Sequence, residues 1–130
     1  MTRGTLQHIL YVEDDADIRT IAQLALEAVG GYTLKVCASG QEALETVAAG
    51  YRPELILLDV MMPGLDGPGT LSGLRRLPST METPAVFMTA KVQASEIAFY
   101  KSLGAIGVLA KPFDPMALAA QVRRLWENGE

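Results

Sequence analysis

Leu55-Ile56-Leu57-Leu58-Asp59 is the stretch that decides how this chain is read. Its apolar residues do not alternate with polar ones, and the run is too short for a buried helix. It reads as a parallel strand covered on both faces. The same signature recurs at Ala85–Met88 (AVFM) and Gly107–Ala110 (GVLA). Two further strands precede it. His8–Val12 (HILYV) is a short apolar run, and Tyr32–Ala38 (YTLKVCA) alternates and carries β-branched residues.

Helical segments fill the gaps. From Asp15 to Val29, Ile18, Ile21, Ala22 and Ala25 recur at helical spacing, and Gly30-Gly31 ends the run. Ser39 and Glu42 form a capping-box pattern opening a helix to about Ala49. Asp66 caps a helix containing Leu71, Leu74 and Leu77, stopped by Pro78. Ser95 is expected to cap a helix through Leu103, closed by Gly104. Asp114-Pro115 starts the last one, whose stripe is Leu118, Val122, Leu125 and Trp126. Five βα units with right-handed crossovers make a single α/β domain with helices on both faces of a parallel sheet.

Composition agrees. A chain of 130 residues, 49% hydrophobic and 20% charged, suits one globular domain. A net charge of −4 excludes a strongly basic nucleic-acid surface. One cysteine allows no intramolecular disulfide. No apolar run is long enough to span a membrane, and the polar start, Met1 to Gln7, is unlike a signal peptide. A cytoplasmic location is expected.

In sheets of this type, function gathers beyond the carboxyl ends of the strands. Glu13, Asp14 and Asp15 follow the first strand, Asp59 the third, Thr89 the fourth and Lys111-Pro112 the fifth. Clustered carboxylates repel, by about 1 kcal/mol in water at 4 Å and about 4 at an effective dielectric of 20. An all-oxygen ligand set without His or Cys calls for a hard divalent cation, Mg2+ foremost, and Lys111 adds a further positive charge. A metal, a lysine, a hydroxyl and a carboxylate nucleophile together suit phosphoryl transfer. Taken singly, Asp15 reads as a helix cap, His8 as a strand residue at the far end, and Cys37 as core filling. Arg75-Arg76 and Arg123-Arg124 read as solvated helix faces.

Leu10 to Asp14 (LYVED), Leu57 to Gly67 (LLDVMMPGLDG), Phe87 to Ala90 (FMTA) and Lys111 to Phe113 (KPF) stand in that order. Thr89 falls 30 residues after Asp59, and Lys111 52 residues after it. With these motifs the chain resembles the receiver domain of bacterial two-component response regulators, over about Gln7 to Trp126. The resemblance implies a flavodoxin-like, doubly wound sheet of order 2-1-3-4-5. It implies that Asp59 accepts a phosphoryl group from a sensor histidine kinase or a phosphotransfer protein, with the protein regulating rather than acting as an enzyme in its own right. Glu13, Asp14, Asp59 and the Met61 backbone carbonyl would hold Mg2+. Thr89 and Lys111 would contact the phosphoryl group, and the Lys111–Pro112 bond would be cis. The fourth helix, fifth strand and fifth helix would form the output face, for a downstream protein target or a homodimer. No direct nucleic-acid or membrane contact is implied.

One position departs from the family pattern. Val108 stands where the family usually has a Tyr or Phe that rotates as the threonine moves, so output coupling is expected to differ. Met61 and Lys91, two residues beyond Asp59 and Thr89, flank the expected phosphoryl position, and bulky Met61 is expected to hinder an attacking water. Met61 also counts against a phosphohydrolase of the haloacid type, which needs a second Asp there. Glu13-Asp14-Asp15 counts against a flavin-binding module, because it would repel the cofactor's phosphate. The last helix is expected to end near Glu127, leaving no room for an effector domain. A stand-alone receiver is therefore expected, with a piece of a larger regulator or hybrid kinase as the alternative.

Overall fold

The computed structural model describes residues 4–128; residues 1–3 of the polar start, and residues 129 and 130, lie outside them. Five strands form one parallel sheet: β1 (His8–Val12), β2 (Thr33–Cys37), β3 (Leu55–Asp59), β4 (Ala85–Thr89) and β5 (Ala105–Ala110). Their order is β2-β1-β3-β4-β5, as expected. The helices are α1 (Ala16–Leu24), α2 (Gly40–Ala48), α3 (Gly67–Leu74), α4 (Ala94–Ser102) and α5 (Leu118–Asn128).

The strands sort their side chains with period two. Ile9 and Tyr11, Leu55 and Leu57, and Val86 and Met88 pack with Ala22, Leu26, Leu118 and Val122, so α1 and α5 cover one face. Leu10 and Val12, Ile56 and Leu58, and Ala85 and Phe87 pack with Ala43, Val47, Leu71, Leu74 and Tyr100, so α2, α3 and α4 cover the other. Every residue of β3 and β4 is buried, which explains the unbroken apolar runs. Cys37 is buried in the second of these cores.

Several boundaries differ from the sequence expectation. The first helix leaves α geometry at Leu24 and ends in a π-helical turn, Ala25–Val29, which buries Ala25 and Leu26 but leaves Leu24 and Val29 exposed. Ile21 is exposed as well. The third helix ends at Leu74, and Pro78 opens a separate 3-10 turn, Pro78–Thr80. Arg75 is not a solvated charge: half-buried, it donates to the carbonyls of Thr80 and Thr83 and ties that turn down. Gln93, not Ser95, occupies the cap position of α4, and the Ser95 hydroxyl bonds the Glu96 carboxylate instead. β5 starts at Ala105, directly after Gly104, whose φ of 102° only glycine adopts readily. Asp114 builds a turn through the Met116 amide, and α5 proper begins at Leu118.

Candidate functional site

The carboxyl ends of β1, β3, β4 and β5 meet at one rim because the sheet is parallel and its central strands are adjacent. Backbone pairing continues past the strand ends and fixes that rim. The Glu13 amide donates to the Cys37 carbonyl (3.0 Å), that of Val60 to Met88 (3.0 Å), and that of Lys111 to Thr89 (2.9 Å). Strand alternation then decides where each side chain goes. Glu13 follows Ile9 and Tyr11, and Asp59 follows Leu55 and Leu57, so both acids share the α1/α5 face. Thr89 continues the opposite register of Ala85 and Phe87.

Lys111 joins the two acids. Its Nζ lies 2.9 Å from Glu13 Oε1 and 2.9 Å from Asp59 Oδ1. Glu13 is fully buried and Asp59 only 2% exposed, so both charges are largely removed from water. Burial pushes the Glu13 carboxyl up to about 7, and the Asp59 charge adds to this, against the opposing pull of Lys111 and the Asp15 amide. Burial alone would lower the Lys111 ammonium, but its two carboxylate partners hold it above its usual value. An ammonium between two buried carboxylates is the arrangement that like-charge repulsion demands. The Lys111–Pro112 peptide bond is cis.

The other expected residues take different places. Asp14 is exposed, yet one of its carboxylate oxygens lies within 4.8 Å of those of Glu13 and Asp59. Thr89 is 3% exposed, and its Oγ1 accepts from the Lys91 amide (3.1 Å), which shapes the loop leading to α4. The Met61 side chain stands in solvent, 77% exposed. Asp15 is a cap: its Oδ1 accepts from the amides of Asp17 (2.9 Å) and Ile18 (3.0 Å). Its own amide also donates to Glu13 Oε2 (3.2 Å).

Two supports were not apparent from sequence. Arg19, one turn into α1, donates from Nη1 to the carbonyls of Glu13 (2.9 Å) and Asp14 (3.2 Å) and so holds the acidic loop by its backbone. A basic residue four positions after a helix cap is the only sequence signal it leaves. Gly67, at the start of α3, lies so close to β3 that an added Cβ would meet the Asp59 carbonyl oxygen at 2.6 Å and Val60 Cα at 2.9 Å. That glycine lets α3 begin directly against the strand end bearing Asp59.

Three carboxylates from two strand ends converge, all the donors are oxygen, and Asp14 opens the cluster to solvent. That fits a hard cation that keeps part of its water shell. No helix is long and apolar enough to cross a membrane, among the described residues.

Comparison with known proteins agrees with this geometry. The model of the response regulator receiver domain matches residues 9–123. The transcriptional regulatory protein CseB of Streptomyces coelicolor is 38% identical over 116 residues, 89% of this chain and 47% of its own length. The uncharacterized transcriptional regulatory protein YkoG of Bacillus subtilis is 38% identical over 123 residues, 94% of this chain and 52% of its own. This chain thus spans about half the length of those relatives. Among solved structures, the chemotaxis response regulator CheY4 of Vibrio cholerae aligns with a TM-score of 0.83 at 30% identity, covering 93% of this chain and 99% of that one. With the family model matched over residues 9–123 and relatives 38% identical over most of its length, the chain belongs to the response regulator receiver domain family.

Proposed function

We propose that Asp59 is the phosphoacceptor of this receiver and that Glu13, Asp14 and Asp59, with the Met61 backbone carbonyl, hold Mg2+. The observation that carries this reading is the Lys111 bridge, 2.9 Å to both Glu13 and Asp59, beside three carboxylates within 4.8 Å of one another. A carboxylate oxygen of Asp59 attacks the phosphorus of a phosphohistidine on a histidine kinase or phosphotransfer protein. A P–O bond forms, the P–N bond breaks, and the leaving imidazole takes up a proton. Mg2+ offsets the negative charge of the acids and the phosphoryl oxygens.

The chain's own residues do the rest. The new acyl phosphate adds about −1.5 to −2 charge. Lys111 turns from Asp59 and Glu13 to a phosphoryl oxygen. Thr89 gives up its bond from the Lys91 amide and donates its hydroxyl to the phosphoryl group. That shift moves the loop leading to α4 and biases the face made by α4, β5 and α5 toward a downstream protein or a second copy. Val108 pairs with Phe87 in register and has no ring to swing, so the movement must leave through α4. The exposed Met61 side chain stands where water would approach and lengthens the phosphorylated state. Residues 1–130 act as one receiver domain, with its core at about residues 7–126.

Replacing Asp59 by Asn tests the nucleophile. Incubated with Mg2+ and a radiolabelled small phosphodonor, Asp59→Asn should retain none of the acid-stable, base-labile label of the wild type. Undiminished label on the variant would refute the assignment.

A further inference from the structure

Among the described residues, two buried side-chain polar atoms have no hydrogen-bond partner: the phenol oxygens of Tyr11 and Tyr32. A buried hydroxyl without a partner makes a protein less stable than phenylalanine would in the same place, so each invites a reason. Tyr32 lies just before β2, beside Gly30 and Gly31, at the opposite end of the sheet from the acidic rim. Tyr11 lies under the rim. It is fully buried in the core beneath α1 and α5. In β1 it precedes Glu13 by two residues and so shares its face. Its register partner, Leu57, precedes Asp59 by two residues on that same face. Burial raises the phenol's pKa far above its ordinary value, and the charges of Glu13 and then Asp59 raise it further. A phenol is protonated at neutral pH, so Tyr11 is a donor.

The Glu13 carboxylate already has two donors. Lys111 Nζ serves Glu13 Oε1, and the Asp15 amide serves Oε2. The balance changes when Lys111 turns to a phosphoryl oxygen: Glu13 then loses the hydrogen bond from that ammonium, and a carboxylate that ligates a cation through one lone pair still has room for a donor on another. We propose that Tyr11 is a positioning residue of the metal site: its phenol O–H takes over the Glu13 carboxylate from Lys111 and holds it in place while the cation and the phosphoryl group are bound. The inference rests on the reading of Asp59 as phosphoacceptor. It gives the buried, unpartnered Tyr11 hydroxyl an acceptor.

The test compares the full-length Tyr11→Phe and Tyr32→Phe proteins with wild type by calorimetric titration with beryllofluoride in saturating Mg2+, and by thermal melting without metal. Tyr11→Phe should melt no lower than wild type without metal, yet bind beryllofluoride about tenfold to a hundredfold more weakly, the loss of one hydrogen bond to a charged group. Tyr32→Phe should bind as wild type. Equal affinity of Tyr11→Phe and wild type would overturn the proposal. A lower metal-free melting temperature would overturn it too, because the phenol would then already be bonded. If wild type itself fails to bind beryllofluoride, the phosphoacceptor reading falls, and this inference with it. Should Tyr11→Phe not fold, the wild type labelled at tyrosine 13Cζ decides. The Tyr11 hydroxyl proton must exchange more slowly once Mg2+ and beryllofluoride are bound, and an unchanged rate rejects the idea.

Discussion

Glu13 links the proposed metal site to pH. Its folded pKa, about 7, lies well above its ordinary 4.5, so between these values the folded protein holds a proton that the unfolded chain has lost. Its contribution to metal-free stability is therefore complete below about 4.5 and is lost as pH rises through 7. A divalent cation needs the opposite form, the carboxylate. Mg2+ affinity should accordingly fall by up to roughly tenfold for each pH unit below 7, and change little above it. Calorimetric titration with MgCl2 at pH 6, 7 and 8 would show this; a dissociation constant flat across that range would mean that Glu13 is already ionised throughout. Lys111 contributes at the same level, as the cation that keeps two buried acids compatible.

Helix starts and strand ends, more than single side chains, set the geometry of the rim. α1 begins at the Asp15 cap, and Arg19 reaches back one turn to the carbonyls of Glu13 and Asp14, so the acidic loop is held by the helix that follows it. α3 begins at the Asp66 cap, whose Oδ1 accepts from the Gly69 amide (2.8 Å), and Gly67 brings it against β3. Its amide donates to the Val60 carbonyl (2.9 Å). Gly67→Ala should lower stability by about 1–3 kcal/mol, because the new methyl group meets backbone and not a yielding side-chain tip. It should also weaken phosphorylation by moving Asp59. Chemical denaturation would read the first effect, and a variant as stable as wild type would show that α3 can shift without penalty. Gly73 faces only the Leu44 side chain, which can give way, so alanine there is the milder companion.

For the molecule as a whole, the proposed cation would be a folding ligand as well as a cofactor. An ion that binds only the folded chain adds about 1.4 kcal/mol at ten times its dissociation constant, worth about 4 to 7 °C in melting temperature for a domain of this size. MgCl2 should raise the melting temperature by that amount at pH 8, and Asp14→Asn should lose most of the gain; no shift in the wild type would count against a metal at these acids. The sequence by itself determined the five-strand pattern, the two-sided burial of the sheet and the strand-end positions of Glu13, Asp14, Asp59, Thr89 and Lys111. Each follows from local rules: apolar runs, period-two alternation and capping residues. The Lys111 bridge, the Arg19 clasp, the buried phenol of Tyr11 and the tight seat of Gly67 were invisible there. The Lys111 bridge joins residues 98 apart in the chain, and only packing the strands side by side makes that distance short; the Arg19 clasp and the Gly67 seat are close in sequence but depend on how a helix start docks against a strand end.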